Sequence, residues 1–491
     1  MKKIYLLSVF YIFNLYQLAF ADELPIPSQA IMPLTTSKFI ANQTLDISLH
    51  DAIFIGLRDN RTIRSAFLQR IAQKFDLKVA ENQFMPKLVL NALYLKGQNQ
   101  QNQYNTTDIF PSTTLLSELG TRFSLSWANR VNQTSLLGSY LSSGVNFTVI
   151  QPLLRDAGTE VTTAPLRFAR LNEQVNLLNL KYTVAQTITQ IALSYRELLR
   201  AQEQLRIVND AMIRSQQLME VNKALIAVGR MAEFEIIQTQ ADAATQELAV
   251  EEATNNLDSC RRELLHLLSL DLNYQIHAND LLEAKKINID KEHALHIAFE
   301  NQPQYLTQLI SNEQAELNLV IAKNQRLWDI SLIGGISHFR GTDLGVQNSE
   351  LDKQWDQYAG IQVNIPIGDI QSRQNEIRAK VDLKDKEIKL TEIKQLLERE
   401  IGDAVRNTNT RWRQYEIAKK ARNLSLQKLE IEKKKLQVGR SSNFQVLSFE
   451  ADMRSAENAQ LNALITYLNT QTLLDEKLGM TLESWDITLN D

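Results

Sequence analysis

Long stretches of the chain repeat their apolar residues at the three- to four-residue spacing of an amphipathic α-helix. One example is the series Leu177, Leu180, Val184, Ile188 and Ile191. This spacing places all five on one helix face. Such stretches are poor in Gly and Pro and exceed the usual helix length, which indicates coiled-coil-like packing. A helix of roughly seventy residues would be about 105 Å long, so the pattern predicts an elongated, mainly helical molecule.

Three shorter segments alternate apolar and polar residues, which is the period of a β-strand: residues 121–128, 143–150 and 359–367. A barrel strand with its apolar side toward lipid and a soluble strand with one wet face give the same pattern. The alternation alone therefore leaves both interpretations open. Trp127, Trp328 and Trp355 lie in or near strand ends. They would either join an interfacial aromatic belt or pack in a core.

The chain also repeats itself internally. Residues 228–242 and 438–452 share the pattern V-G-R-x-x-x-F followed by A-D at the same offsets, with no gap. Residues 51–57 resemble 293–299 in the same way. Self-similarity of this kind indicates two copies of one structural unit. Each half reads as a helix, a strand region, a long helix and a returning helix.

The repeats divide the chain into predicted regions: a signal peptide 1–21, an N-terminal extension 22–45, a first repeat 46–270, a linker 271–292, a second repeat 293–480 and a C-terminal tail 481–491. The first repeat is predicted to hold a helix over 48–85, strands within 87–150 and helices over 158–228 and 232–268. The second is predicted to hold a helix over 293–327, strands within 329–367 and helices over 370–438 and 443–478. The long polar segment 97–142 has a short counterpart, 340–357, and leaves room for an extra strand pair.

Helix lengths suggest how these elements are arranged. Each long helix is about as long as two shorter helices stacked end to end. A chain would therefore supply four helical columns of similar length, called rails below, with strands at one end and V-G-R turns at the other. Two strands per half cannot close a membrane barrel, since the smallest have about eight. An open edge in lipid would leave backbone groups unpaired. A membrane location therefore requires an oligomer, and a trimer would pool about twelve strands and twelve rails.

The N-terminus carries the signals of export. Lys2 and Lys3 precede an apolar run that ends in Ala19-Phe20-Ala21, as in a signal peptide cleaved after Ala21. An uncleaved anchor is the alternative. No Cys stands directly after this site, so a lipid anchor is not expected. No later segment has the roughly 18 consecutive apolar residues of a membrane helix. The single cysteine, Cys260, is predicted to be a small packing residue.

Composition and motifs give no sign of catalysis. The 53 Lys and Arg against 57 Asp and Glu lack the basic excess of a nucleic-acid-binding protein. The six histidines show no metal-ligand spacing, and the helical pair His293 and His296 reads as ordinary packing. The chain has neither a G-x-S-x-G nucleophile motif nor a P-loop. The sequence therefore predicts no enzyme, cofactor or metal site, and any energy would come from a partner.

Several motifs follow one another in an order found in a known family. They are 49–53 with Asn60, 80–86 leading into a strand, 151–158 at the return to helix, and the two V-G-R turns. Over roughly 46–480, the chain resembles the TolC-like outer-membrane factors. The resemblance implies a mainly α fold with β: a trimeric 12-stranded transmembrane β-barrel continued by a long α-helical coiled-coil periplasmic tunnel, with two internal repeats per chain.

The same resemblance implies a location and partners. It places a homotrimer in the bacterial outer membrane, in contact with outer-membrane lipid and extending into the periplasm. There it would meet a periplasmic adaptor (a membrane fusion protein) and an inner-membrane transporter, as a passive exit duct for drug efflux or type I protein secretion. The competing interpretation is a periplasmic coiled-coil scaffold or adaptor without a pore.

Two groups of site residues follow from the resemblance. The predicted adaptor-docking tips are Val228, Gly229, Arg230, Val438, Gly439 and Arg440; alternatively, the glycines only end helices. Relatives often carry two acidic residues past the second tip, where this chain has Gln445 and Ser448. The acidic position past the first tip is kept as Glu235, beside Glu233. An acidic periplasmic aperture would therefore come from Glu235, unless these residues are only a solvated helix surface.

Overall fold

The computed structural model describes residues 44–98, 103–134, 138–343 and 352–489. Its strands are β1 (Leu45–Ile47), β2 (Lys87–Gln98), β3 (Gln103–Leu116), β4 (Arg122–Thr134), β5 (Gly138–Pro152), β6 (Ile276–Ala278), β7 (Asp329–Asp343) and β8 (Asp352–Asn364). Its helices are α1 (Leu49–Asp59), α2 (Arg61–Glu81), α3 (Thr159–Thr162), α4 (Ala164–Ala227), α5 (Ile236–Leu267), α6 (Lys291–Asn301), α7 (Pro303–Gln325), α8 (Ile370–Gln437), α9 (Asn443–Leu478) and α10 (Thr481–Ser484). The signal-peptide and cleavage-site predictions lie outside the described residues.

Each helical segment that leads into the sheet is broken once. The single helix predicted over 48–85 was wrong, because α1 ends before Asn60 and α2 begins after it. The Asn60 side chain caps α2 by accepting from the backbone N–H of Thr62 at 2.8 Å. The helix predicted over 293–327 is likewise divided at Gln302, which caps α7. Pro303 could have signalled that second break, since a residue before proline avoids the helical conformation.

The main sheet has six antiparallel strands in the order β2-β3-β4-β5-β7-β8. The insertion 97–142 contributes the extra pair that its length had left open, so the count of two strands per half holds only for the second half. A separate two-stranded sheet pairs β1 with β6 in parallel. It joins the start of the first repeat to the linker between the repeats.

The long helices pack side by side. Helix α4 contacts α2, α5, α7 and α9, and α8 contacts α7 and α9. The resulting order across the layer is α2 and α5, then α4, then α7 and α9, then α8. Among the described helices, none has a stretch both long and apolar enough to cross a membrane.

The largest apolar core lies midway along α4, a region called the waist below. It buries Ile53 of α1, Ile191 and Tyr195 of α4, and Leu264 of α5 completely. The Tyr195 hydroxyl donates to the Ile47 carbonyl of β1 at 2.9 Å. Residues of β6 and of the C-terminal tail also pack here, so the linker and tail complete the core.

Candidate functional site

The two V-G-R turns have the same backbone geometry. Gly229 and Gly439 adopt φ of 71° and 73°, the left-handed conformation that ends many helices. The N–H of Arg230 donates to the Leu225 carbonyl at 2.9 Å, and the N–H of Arg440 donates to Lys435 at 2.8 Å. No atom of the described part of the chain lies within 4 Å of where a Cβ would stand on either glycine. Glycine is therefore required by the backbone conformation, not by crowding.

Both tips present apolar side chains to solvent. Val228 is 68% exposed and Phe234 71%, while Val438 is 66% exposed and Phe444 67%. The V-x-x-x-x-x-F spacing therefore places one valine and one phenylalanine on the surface of each tip. Exposed apolar residues concentrated at one end of a molecule are typical of an interaction surface.

The tips differ in how the returning helix begins. Ser442 caps α9 by accepting from the N–H of Gln445 at 3.3 Å. The matching residue of the first tip, Ala232, has no side-chain acceptor, and a turn of 3-10 helix over Glu233–Glu235 precedes α5. In the second tip, the Ser441 hydroxyl also donates to Glu432 at 2.7 Å. That bond, together with Lys435, lowers the pKa of Glu432.

The predicted aperture residues lie close to the tips. Glu233, Gln445 and Ser448 are exposed, and Glu235 is half-buried. The Glu235 carbonyl accepts from the Asn443 side chain at 3.3 Å, so the first tip touches the second within one chain. Because an aperture would be formed by several copies, the acidic ring remains a prediction.

A buried polar cluster joins the two helical hairpins just above the tips. Asn222 of α4, Thr239 of α5 and Asn443 of α9 are all fully buried. The Asn222 amide donates to Thr239 at 2.7 Å and to Asn443 at 2.8 Å. The Asn222 side-chain oxygen has no hydrogen-bond partner among the described residues, a costly arrangement in a buried site. Sequence reasoning missed this cluster, although Asn443 stands where the first repeat has the exposed Glu233.

A second polar group lies farther up the same interface. Arg214 of α4 donates to Glu450 of α9 at 2.9 Å, and Lys433 of α8 also pairs with Glu450. Glu457, about two helical turns beyond Glu450 on α9, lies within ion-pairing range of Arg214 and Arg422. Burial raises the pKa of Glu457 despite these cations. The contact between the hairpins is thus rich in polar and charged groups.

The six-stranded sheet has two chemically different faces. Strand register places Leu125 beside Phe147, and Phe147 beside Ile336, on one face. All three side chains are exposed in a single chain. On the opposite face, register aligns Ser126 with Asn146. The first surface is therefore apolar across several strands, whereas the opposite surface is polar where β4 pairs with β5.

The sheet tryptophans belong to the apolar face. Register aligns Trp127, Val145, His338 and Trp355 in one row. Trp127 is 51% exposed and Trp355 is 67% exposed, so neither packs in a core of the single chain. The Trp127 ring N–H donates to Ser143 at 3.1 Å. The aromatic-belt interpretation of these two residues remains a prediction.

The sheet and the helical layer end at the same two edges. Edge strand β2 follows edge helix α2 after one 3-10 turn (Asn82–Phe84), and edge strand β8 directly precedes edge helix α8. Both edge helices expose large apolar side chains: Leu68, Phe75 and Val79 on α2, and Ile377, Val381, Ile388, Ile417, Leu424 and Ile431 on α8. The last three recur every seven residues, as in a coiled-coil seam.

Comparison with known proteins rests on structure alone. No protein-family model matches the chain, and no curated protein matches its sequence. The Campylobacter jejuni CmeC outer membrane channel is similar with a TM-score of 0.66 and 17% identity, covering 88% of this chain and 86% of that chain. The open state of the Neisseria gonorrhoeae MtrE outer membrane channel has a TM-score of 0.67 and 17% identity, covering 88% and 89%. The Vibrio cholerae outer membrane protein VceC has a TM-score of 0.65 and 14% identity, covering 88% and 96%.

The chain has the fold of the TolC-like outer-membrane channels. The resemblance inferred from the sequence motifs is thereby confirmed at the level of the fold. Within the outer-membrane channel fold, this chain's two-faced sheet forms one end and its two V-G-R tips form the other. The distance between them is set mainly by α4, which at about 1.5 Å per residue is close to 100 Å long.

Proposed function

We propose that this protein is a passive outer-membrane exit duct. The observation that carries the proposal is the exposed apolar face of the sheet, which continues over adjacent strands through Leu125, Phe147 and Ile336. A soluble protein would bury such a face, whereas lipid would cover it. The opposite face, which is polar where β4 pairs with β5, suits a water-filled lumen.

Several copies are needed to form the duct. The apolar stripes on edge helices α2 and α8 differ from each other, so one copy would present its α8 edge to the α2 edge of the next. An interface of this head-to-tail kind closes into a ring when the rotation permits. A homotrimer in the outer membrane, extending into the periplasm, fits four helical rails per chain.

The helical end of the duct would contact the other components of a tripartite efflux or type I secretion system. Val228, Phe234, Val438 and Phe444 offer apolar contacts for a periplasmic adaptor, and the adaptor would bring an inner-membrane transporter to the aperture. Glu235 remains the proposed acidic group at that aperture. The fold offers no support for an enzyme, and the described residues contain no cluster suited to a metal ion.

The alternative is a periplasmic scaffold without a pore. A scaffold would have no use for a sheet whose apolar face is exposed over several strands. The polar contact between the hairpins fits either function, so the sheet is the feature that discriminates between them.

The test is to purify the mature chain in detergent and to measure its mass and its conductance in planar bilayers. We expect a trimer that conducts. Leu125→Arg should abolish membrane insertion, because a charge on a lipid-facing position costs about 2–4 kcal/mol near the bilayer midplane. The matched variant Ser126→Arg, on the polar face of the same strand, should still insert and conduct. A monomer without conductance, or equal effects of the two arginines, would overturn the duct.

A further inference from the structure

The inserted hairpin is part of the sheet and not an appendage to it. Strand β3 pairs with β2 from Gln103 to Thr114 and with β4 over nearly its whole length, and β4 pairs with β5 throughout. Leu125 of β4 pairs with Thr113 of β3, which pairs with Leu88 of β2, so all three lie on the same apolar face. Every strand therefore has the same outer and inner sides as its neighbour.

The turn between β3 and β4 is fixed to the junction between sheet and helices. The N–H of Gly158 donates to the Leu119 carbonyl of this turn at 3.2 Å, and the Thr121 hydroxyl donates to Gln151 at the end of β5. On the polar face, Arg130 of β4 donates twice to the buried Asp108 of β3, at 2.7 and 2.9 Å. These contacts hold the insertion in the wall at the height of the other strands.

Strand β2 has the composition of an interior strand although it lies at an edge. Leu88, Leu90 and Tyr94 extend to one face, and Leu93 and Leu95 to the other; all are exposed. No charged residue interrupts the strand between its first residue and Lys96. Natural edge strands are normally protected by charges, prolines or bulges, because a long apolar edge pairs with other chains. Strand β2 therefore requires a pairing partner.

The width of the sheet matches the width of the helical layer. Six strands about 4.8 Å apart and tilted by 35–45° span roughly 35–41 Å of a barrel wall. Four rails at 8–10 Å spacing span about 32–40 Å. Four strands at the same tilt would span only about 23–27 Å. Six strands per chain thus bring both layers to the same pair of edges without a steeper tilt.

We propose that β2 of one copy pairs antiparallel with β8 of the next copy, so that six strands from each of three chains form an eighteen-stranded barrel. This inference rests on the proposed trimeric duct and replaces the twelve strands that the sequence resemblance implied. Strand β2 runs away from the helices and β8 runs toward them, as antiparallel pairing requires. Barrels of 16–18 strands enclose an aqueous channel, so the helical tips and not the membrane section would limit passage.

The proposal is tested by disulfide cross-linking of the full-length protein in a Cys260→Ala background. Ala92→Cys on β2 is combined in turn with Gln357→Cys, Ala359→Cys and Ile361→Cys on the apolar face of β8. Paired strands bring opposing residues within disulfide range. We expect at least one combination to give a covalent trimer on denaturing gels after oxidation, since each copy carries both cysteines.

The matched control places the first cysteine on β4 instead, as Leu125→Cys, with the same three β8 partners. In a twelve-stranded barrel of β4, β5, β7 and β8, this second set would cross-link between copies. Covalent oligomers from the β4 set, a cross-linked monomer, or a native trimer in which no β2 combination reacts would overturn the eighteen-stranded barrel. Each of these results leaves the duct itself intact. Loss of the trimer and of conductance before any cysteine is introduced would instead refute the proposed function.

Discussion

The waist and the tip half of the helical layer differ in how much their helix contacts depend on polar groups. At the waist, Ile53, Ile191 and Leu264 bury wholly apolar side chains. Near the tips, the hairpins meet through an apolar cluster that includes Val446, but also through the buried amides of Asn222 and Asn443 and through charged pairs such as Arg214 with Glu450. When helices shift slightly, apolar packing loses its stabilising free energy only gradually. A buried hydrogen-bond network, in contrast, is satisfied in one alignment only. This difference in helix contacts suits the proposed duct, because the waist would stay rigid while the tip changes shape.

The largest expected effect is a loss of unfolding free energy after a substitution at the waist. Ile191→Ala would leave a cavity in a fully buried site, which lowers the free energy of unfolding by about 2–5 kcal/mol. The measurement is urea unfolding of the detergent-solubilised protein, followed by circular dichroism at fixed protein concentration. Ile213→Ala is the control, because Ile213 lies on the same helix and is 51% exposed. Similar losses from both variants would show that the waist is not the main source of stability.

The second prediction concerns the tip half. Asn443→Ala removes the group that Asn222 and Thr239 share, leaving buried polar atoms unpaired at a cost of about 1–3 kcal/mol. We expect faster amide hydrogen exchange in the first turns of α5 and α9, a higher frequency of channel opening in bilayers, and little change at the waist. Gln437→Ala, an exposed position at the end of α8, is the control.

In Asn443→Ala, an equal increase in amide hydrogen exchange at the waist and at the tips would contradict the proposed difference between these two regions. In that case the polar cluster would support the whole fold instead of controlling its end. An unchanged tip with unchanged conductance would show that the cluster contributes only to local packing.

The sequence was informative wherever structure depends on local pattern. The long helices α4 and α8 and the alternating strands β4, β5 and β8 follow from the period of their apolar residues, and the two turns follow from Gly229 and Gly439. Strand β3 was hidden, because Gln103–Leu116 is polar with weak alternation and contains Pro111, which argues against a central strand. The ladder between β3 and β4 in fact skips Phe110 and Pro111.

Other features depend on contacts between distant parts of the chain. The Asn222–Thr239–Asn443 cluster joins three helices whose residues lie up to 221 positions apart, and no local pattern signals it. The C-terminal tail is similar: Trp485 and Ile487 complete the waist core, although 481–491 had no predicted role. Packing partners of this kind become visible only once the helices are placed side by side.

The smallest expected effects sharpen the comparison between the two tips. Ser442→Ala removes the cap of α9 and should cost about 0.5–2 kcal/mol of local helix stability. Ala232→Ser should give the first tip a similar cap, because Ala232 already has the extended backbone of a capping residue, with φ of −74° and ψ of 142°. The gain should be smaller than the loss at Ser442, since the N–H of Glu235 already donates to the Ala232 carbonyl at 3.1 Å.

Hydrogen exchange at the amides of Glu235 and Gln445 measures both changes at equivalent positions of the repeat. Faster exchange at Gln445 in one variant and slower exchange at Glu235 in the other would show that capping sets the difference between the tips. If neither amide responds, the difference arises instead from Asn443, whose side chain is buried against the first hairpin where the matching Glu233 is exposed. The first tip would then be the more easily deformed of the two because it contributes no buried side chain at that position.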